Sequence, residues 1–149
     1  MELYKGTIHE LHEQLVSKKI SAVELTNAMY DRIGAVDDQV KAYLTLDKAG
    51  ALAQAAKVDA KIAAGEAIKP LAGIPGAIKD NICIKGLKTT CSSKILENYE
   101  AIYDAHVIEN LKADETIFLG KTNMDEFAMG STTETSHFQT THNTWDLNK

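Results

Sequence analysis

Over the first 65 residues, apolar positions recur at three- and four-residue intervals, the spacing that lines one face of a helix. Ile8, Leu11 and Leu15 follow Thr7-x-x-Glu10, and Leu25, Met29, Ile33 and Val36 follow Ser21-x-x-Glu24. Both four-residue stretches are capping boxes, in which a hydroxyl and a carboxylate satisfy the free backbone N–H groups of a helix start. Asp37-Asp38 interrupts the second pattern, and Val40 to Leu46 reads as a short apolar connector or strand. A third helix is predicted from about Asp47 to Ala64. Its Ala49, Ala53, Ala56, Ala60 and Ala63 form a candidate small-residue seam, and Gly65 suits its C-terminal cap.

From Pro70 the pattern changes. Leu71 to Ile78 is apolar, contains Gly73, Pro75 and Gly76, and predicts a buried strand with Pro75 at its start or edge, because proline cannot donate to a ladder. Asp104 is a candidate N-cap for a helix that uses Val107, Ile108 and Leu111. Thr116 to Leu119 predicts a strand that stops at Gly120, and Thr122 to Met129 one or two helical turns closed by Gly130. The remainder is polar and irregular. A helical flank (residues 1–65) followed by alternating strands and helices (66–149) predicts an α/β class, the start of a larger mixed-sheet domain. About twenty polar residues without periodicity are uncommon inside a compact domain, so the fold is expected to continue beyond Lys149.

Composition narrows the class without specifying an activity. The 149 residues are 44% hydrophobic and 25% charged, which suits an ordinary globular core and surface. The apolar runs are far too short to span a bilayer. The start, Met-Glu-Leu-Tyr-Lys-Gly, lacks a signal peptide's basic and apolar regions, so a cytoplasmic location and no membrane partner are expected. A net charge of -5 argues against direct grip on nucleic acid. Cys83 and Cys91 have neither CxxC nor zinc-ligand spacing and read as free thiols; no metal site is expected.

Lys79 closes the apolar Gly76-Ala77-Ile78 run. An amine held in apolar surroundings has its charged form destabilised, and the neutral form can act as a base; the alternative is a strand-end lysine reaching solvent. Gly120-Lys121-Thr122 is no phosphate loop, since position 115 is Glu rather than Gly. Asp125-Glu126 reads as a solvated helix face rather than an acid/base pair, and His9, His12, His137 and His142 as surface histidines. None of Ser17, Ser21, Ser92, Ser93, Ser131 and Ser136 sits in a Gly-x-Ser-x-Gly elbow.

Three ordered blocks carry more than their parts. Leu71-Ala-Gly-Ile-Pro-Gly-Ala-Ile-Lys-Asp-Asn-Ile82, Gly86-Leu-Lys-Thr-Thr-Cys-Ser-Ser-Lys94 and Gly120-Lys-Thr-Asn-Met-Asp-Glu-Phe-Ala-Met-Gly-Ser131 closely resemble the amidase signature family. Within it they look most like the A subunits of glutamyl-tRNA(Gln) amidotransferases, and the likeness runs the length of the chain. The resemblance implies a Ser–cis-Ser–Lys triad with Lys79 as its base, and places Met129, Gly130 and Ser131 in a loop near the substrate. It further implies that glutamine is hydrolysed to ammonia. Other subunits of a heterotrimer would consume the ammonia, one of them using ATP and Mg to act on misacylated tRNA; no cofactor is implied for this chain itself. Both triad serines would lie beyond Lys149, so the 149 residues alone are expected to be inactive. A stand-alone amidase acting on small amides, and a non-catalytic interaction remnant, are the rival readings.

Overall fold

The computed structural model describes residues 2–149 and forms two compact units, each assembled from three stretches of chain. The elements in order are α1 (Ile8–Val16), α2 (Ala22–Val40), β1 (Tyr43–Leu46), α3 (Lys48–Ala63), β2 (Pro75–Lys79), α4 (His106–Ala113) and β3 (Ile117–Thr122). The strands make one sheet of order β1-β3-β2. β1 is antiparallel to β3, with a bulge between Tyr43 and Thr45. β2 runs parallel to β3, since Ile117 N–H donates to Ile74 O at one end and Asp80 N–H to Thr122 O at the other. Four helices and a small sheet make the expected α/β class. Among the described residues no helix is long and apolar enough to cross a membrane.

Among the described residues the first unit comprises 2–33, 47–76 and 110–119. Both predicted capping boxes form: Thr7 with Glu10, and Ser21 with Glu24. The start of α2 has a second cap that local sequence does not reveal. The Asp59 carboxylate, from α3, accepts Ala22 N–H at 2.6 Å and Val23 N–H at 3.1 Å, placing negative charge where the helix dipole is positive. Leu11, Leu15, Ala22, Leu25, Val58 and Ile117 form the core of this unit. Buried Tyr30 donates its hydroxyl to Leu119 O at 2.7 Å.

The predicted alanine seam of α3 is wrong by about half a turn of the helix. Ala49, Ala53, Ala56, Ala60 and Ala63 are all exposed, and Ala51, Ala55 and Val58 are the buried face. Alanine favours helix at any position and gains little from burial, so its spacing does not report an inward face; Val58, with more to gain, does.

The second unit comprises residues 34–46, 77–109 and 120–149. Asp37-Asp38 does not break α2, which continues to Val40. The Asp37 carboxylate instead accepts Ala42 N–H (2.8 Å) and Tyr43 N–H (3.2 Å), catching the chain as it leaves the helix for β1. The connector is the strand β1. α4 begins at His106, and the carboxylate of Asp104 accepts Lys85 N–H at 2.8 Å. β3 does not stop at Gly120. It crosses that residue because any Cβ there would collide with the Thr45 carbonyl oxygen, and only glycine lets β1 and β3 approach so closely. The helical turns predicted for Thr122–Met129 shrink to one 3-10 turn, Glu126–Ala128.

Candidate active site

The chemistry-bearing residues of the second unit gather where β2 and β3 end. β2 places Ile78 inward and Lys79 outward, so Lys79 is exposed while the next residue, Asp80, is fully buried. Alternation along an extended chain accounts for this opposition. Asp80 Oδ2 accepts Thr90 N–H at 3.0 Å and, more tightly, the Thr90 hydroxyl. Its Oδ1 lies 3.3 Å from Lys121 Nζ, close enough for an ion pair but not aligned as a hydrogen bond.

Lys121 is the buried lysine of this protein. Neither it nor Asp80 exposes any side-chain surface. Its ammonium donates to Thr89 Oγ1 at 2.9 Å and Lys88 O at 3.2 Å, so a hydroxyl and a carbonyl take two of its N–H groups while the Asp80 carboxylate supplies the counter-charge. Burial pushes the Lys121 amine below its ordinary value, and the Asp80 carboxylate opposes that shift. The sequence contained a usable signal. Lys121 shares the side of β3 occupied by Leu119 and Ile117, and a lysine on a buried strand requires a carboxylate partner.

Two strained turns pack against this centre. Cys91 and Ser92 have φ of 49° and 53°, and Phe127 and Ala128 have φ of 52° and 62°. Each costs on the order of 1–3 kcal/mol for a residue with a side chain. Hydrogen bonds between the turns hold them: Phe127 N–H donates to Cys91 O (3.0 Å), Ser93 Oγ to Glu126 Oε1 (2.6 Å), and Met124 N–H to Ser92 Oγ (3.2 Å). Asn123 is the hub. Its Oδ1 accepts Ser92 Oγ at 3.1 Å and Ser136 Oγ at 2.8 Å, and its Nδ2 donates to Gln139 O and Thr141 Oγ1. Ser92 and Ser93 are buried and committed to these bonds, and among the described residues no hydrogen bond joins Lys79 to any serine.

Asp125 and Glu126 are not a solvated face. Asp125 is 5% exposed and organises the loop that follows. Its carboxylate accepts Thr132 N–H (3.1 Å), Thr133 N–H (2.9 Å) and Thr135 Oγ1 (2.9 Å). These bonds, the Thr133 N–H foremost, hold its carboxyl below the usual carboxylate range, against the opposing effect of burial. A Cβ on Gly130 would strike that carboxyl, so the loop passes over Asp125 only because residue 130 is glycine. Met129, Gly130 and Ser131 are exposed at the crest, with Met129 at 79%.

Thus the second unit holds both Lys79 and the Met129–Ser131 loop, while the buried network that fixes them rests on residues that spacing alone did not single out. Cys83 and Cys91 are free thiols, and burial raises Cys91 above its ordinary value. Among the described residues no group of three or more His, Cys, Asp or Glu is gathered for a metal ion.

The amidase family model matches residues 24–149. The chain is 54% identical over its full length to the A subunit of glutamyl-tRNA(Gln) amidotransferase from Desulforamulus reducens, spanning 31% of that chain. It is 58% identical over 98% of its length to the protein of the same name from Desulforudis audaxviator, spanning 30% of it. Among solved structures it is similar to the A subunit of glutamyl-tRNA(Gln) amidotransferase from Thermotoga maritima (TM-score 0.75, 36% identity, covering 99% of this chain and 29% of that one). The chain therefore spans about 30% of the length of the relatives it matches.

Proposed function

The chain belongs to the amidase family, and on that premise we propose that it is the lysine-bearing part of an amidotransferase A subunit that releases ammonia from glutamine. The observation that carries this reading is identity along the whole chain to proteins of that one name. Lys79 is the proposed base. Its neutral amine takes a proton through a bridging serine, the nucleophilic serine attacks the glutamine side-chain amide, and ammonia leaves as the acyl-enzyme forms. Both serines would come from the two-thirds of the relatives' chain that these residues do not span.

The local structure supports a division of labour. The Asp80–Lys121 network anchors the backbone immediately after Lys79, while Lys79 itself stays in solvent. Ser92 and Ser93 are committed to Asn123 and Glu126 and Lys79 is hydrogen-bonded to no serine among the described residues, so the 149 residues alone are proposed to be inactive, as is expected of one corner of a triad. The Met129–Ser131 loop, shaped by Asp125, is proposed to line the glutamine site with its backbone. The ammonia would pass to a partner subunit that uses ATP and Mg on misacylated tRNA, within a cytoplasmic heterotrimer.

The test replaces the matching segment of the Desulforamulus reducens protein with this chain, assembles the hybrid with its partner subunits and measures ammonia from glutamine. Ammonia release by the hybrid, lost on Lys79→Ala with assembly intact, is the expected result. Lys79-dependent release by the isolated chain would overturn the proposed inactivity, and an active Lys79→Ala hybrid would overturn the assignment of the base.

A further inference from the structure

The first unit contains a cavity of about 280 Å³, lined by Gln54, Lys57 and Val58 of α3, Lys112 of α4, and Glu115 and Thr116 of the turn into β3. It shares no residue with the candidate active site, which lies in the second unit. Its wall depends on a strained turn. α4 ends with Thr116 N–H donating to Leu111 O and Glu115 N–H to Lys112 O, both at 3.0 Å. This pair of bonds puts Glu115 at the left-handed position that glycine usually fills after a helix, and its φ is 59°. Strain of this kind gathers at ligand sites, where the surrounding structure holds it in place. Here Glu115 is held by Lys61 on its carboxylate (2.6 Å) and by Gly73 N–H on its carbonyl (3.0 Å).

The same turn decides which polar groups are left for a ligand. Asn110 O accepts Asp114 N–H and Ala113 O accepts Lys69 Nζ at 2.7 Å, so with the two bonds above every carbonyl from Asn110 to Ala113 has a partner. The one carboxylate in the wall, Glu115, is already paired with Lys61. What remains is donors. Gln54 Oε1 accepts Phe118 N–H at 3.2 Å, which leaves Gln54 Nε2 without a partner among the described residues. The Thr116 hydroxyl, on a residue 8% exposed, has none either, an unfavourable state for a buried hydroxyl. Lys57 makes no ion pair or hydrogen bond among the described residues. Lys112 adds a second cationic side chain, and Val58 an apolar patch.

Unspent donors beside two cationic side chains complement a molecule rich in acceptors and negatively charged. We infer that this cavity binds a small organic anion, a carboxylate or a phosphate ester with a short apolar body. Lys57 and Lys112 supply the counter-charge, Gln54 Nε2 and the Thr116 hydroxyl donate to the charged group, and Val58 packs against the apolar body. The volume is below the roughly 300–1,000 Å³ of pockets for drug-sized ligands, which favours a ligand smaller than a nucleotide. The inference is independent of the amidase reading above.

The experiment titrates the isotopically labelled 149-residue chain with glutarate and, separately, with ethyl phosphate, following backbone amides by NMR. At least one anion should shift the amides of residues 54–58 and 112–116 saturably, with a Kd of about a millimolar or tighter. The anion that saturates at lower concentration identifies the charged group. Lys57→Gln, at an exposed position, should weaken binding by about threefold or more. Thr116→Val deletes a hydroxyl that holds nothing in the unliganded chain, so it should weaken binding about tenfold while leaving the unfolding midpoint unchanged or higher. If that variant does not fold, Lys57→Gln carries the test. The hybrid with the Desulforamulus reducens protein should bind the same anion by calorimetry, whether or not it releases ammonia. A non-saturating response to both anions, an equal response to inorganic sulfate, unaltered affinity in Lys57→Gln, or loss of binding in the hybrid would each overturn the inference.

Discussion

Replacing Lys121 by methionine tests whether the buried pair holds the second unit together. Methionine matches the stem in length and loses only the ammonium, so packing changes little. What remains is a fully buried Asp80 carboxylate whose Oδ2 keeps its two bonds to Thr90 while Oδ1 loses its one counter-charge. Breaking a buried ion pair from one side costs about 3–5 kcal/mol, a large share of the roughly 5–15 kcal/mol that a whole domain possesses. At about 2–4 °C per kcal/mol for a chain of this size, the unfolding midpoint should fall by roughly 6–20 °C. Adding Asp80→Asn removes the stranded charge, so the double variant should regain about 1–3 kcal/mol relative to Lys121→Met. Urea unfolding followed by circular dichroism measures all four corners of the cycle. The sign of the pH dependence provides an independent check. Because burial lowers the folded-state value of Lys121 below 10.5, the unfolded chain binds more protons between those two values. The stability of the parent relative to Lys121→Met should therefore rise with pH across that window. A cost below about 1 kcal/mol for Lys121→Met, or a double variant less stable than that single one, would refute the account of Lys121 as a charge held by Asp80.

The Asp125 carboxyl, held low by the Thr133, Thr135 and Thr132 bonds, contributes stability that is present above its unfolded value of 3.8 and is lost as pH falls through its folded value. Asp125→Asn should flatten that acid limb in a pH series of thermal melts; an unchanged limb would exclude the carboxylate as the loop's organiser. Gly120→Ala forces a methyl against the Thr45 carbonyl and should cost about 1–3 kcal/mol or more, with hydrogen exchange rising across β1. Lys79→Ala, at an exposed position, should move stability by no more than about 0.5 kcal/mol in the same unfolding assay; a larger loss would show that Lys79 has a structural role as well.

Helices were legible where polar and apolar signals coincided. Thr7 with Glu10 and Ser21 with Glu24 marked their starts because a capping box is local chemistry, complete within four residues. The missed boundaries depended on partners far along the chain. Asp59 caps α2 from 36 and 37 residues away, and no local pattern announces that. Asp37 appeared to break a helix because its carboxylate serves the chain beyond the helix end. The end predicted for β3 at Gly120 rested on reading glycine as a stop. Here it marks a close approach to β1, which only the pairing of the two strands reveals.

The two lysines carry the same lesson into chemistry. For Lys79 the sequence offered an amine in apolar surroundings or a strand-end lysine reaching solvent, and strand alternation turns it outward beside Ile78. Lys121, in a motif dismissed as a phosphate loop, is the one without exposed surface. Lys79 is nevertheless the proposed base, from its place in the Ile-Lys-Asp-Asn block, and the two lysines stand in opposite surroundings. The proposed base must reach a bridging serine, so it belongs at an edge open to another segment. A charge that fixes geometry belongs where a carboxylate, a hydroxyl and a carbonyl surround it. Asp80 joins the two roles: its side chain is gripped from within, and its backbone carries Lys79 outward. Lys79 is thus held through its neighbour Asp80, which is bound by Thr90, Thr122 and Cys91 and paired with Lys121, 42 positions after Lys79.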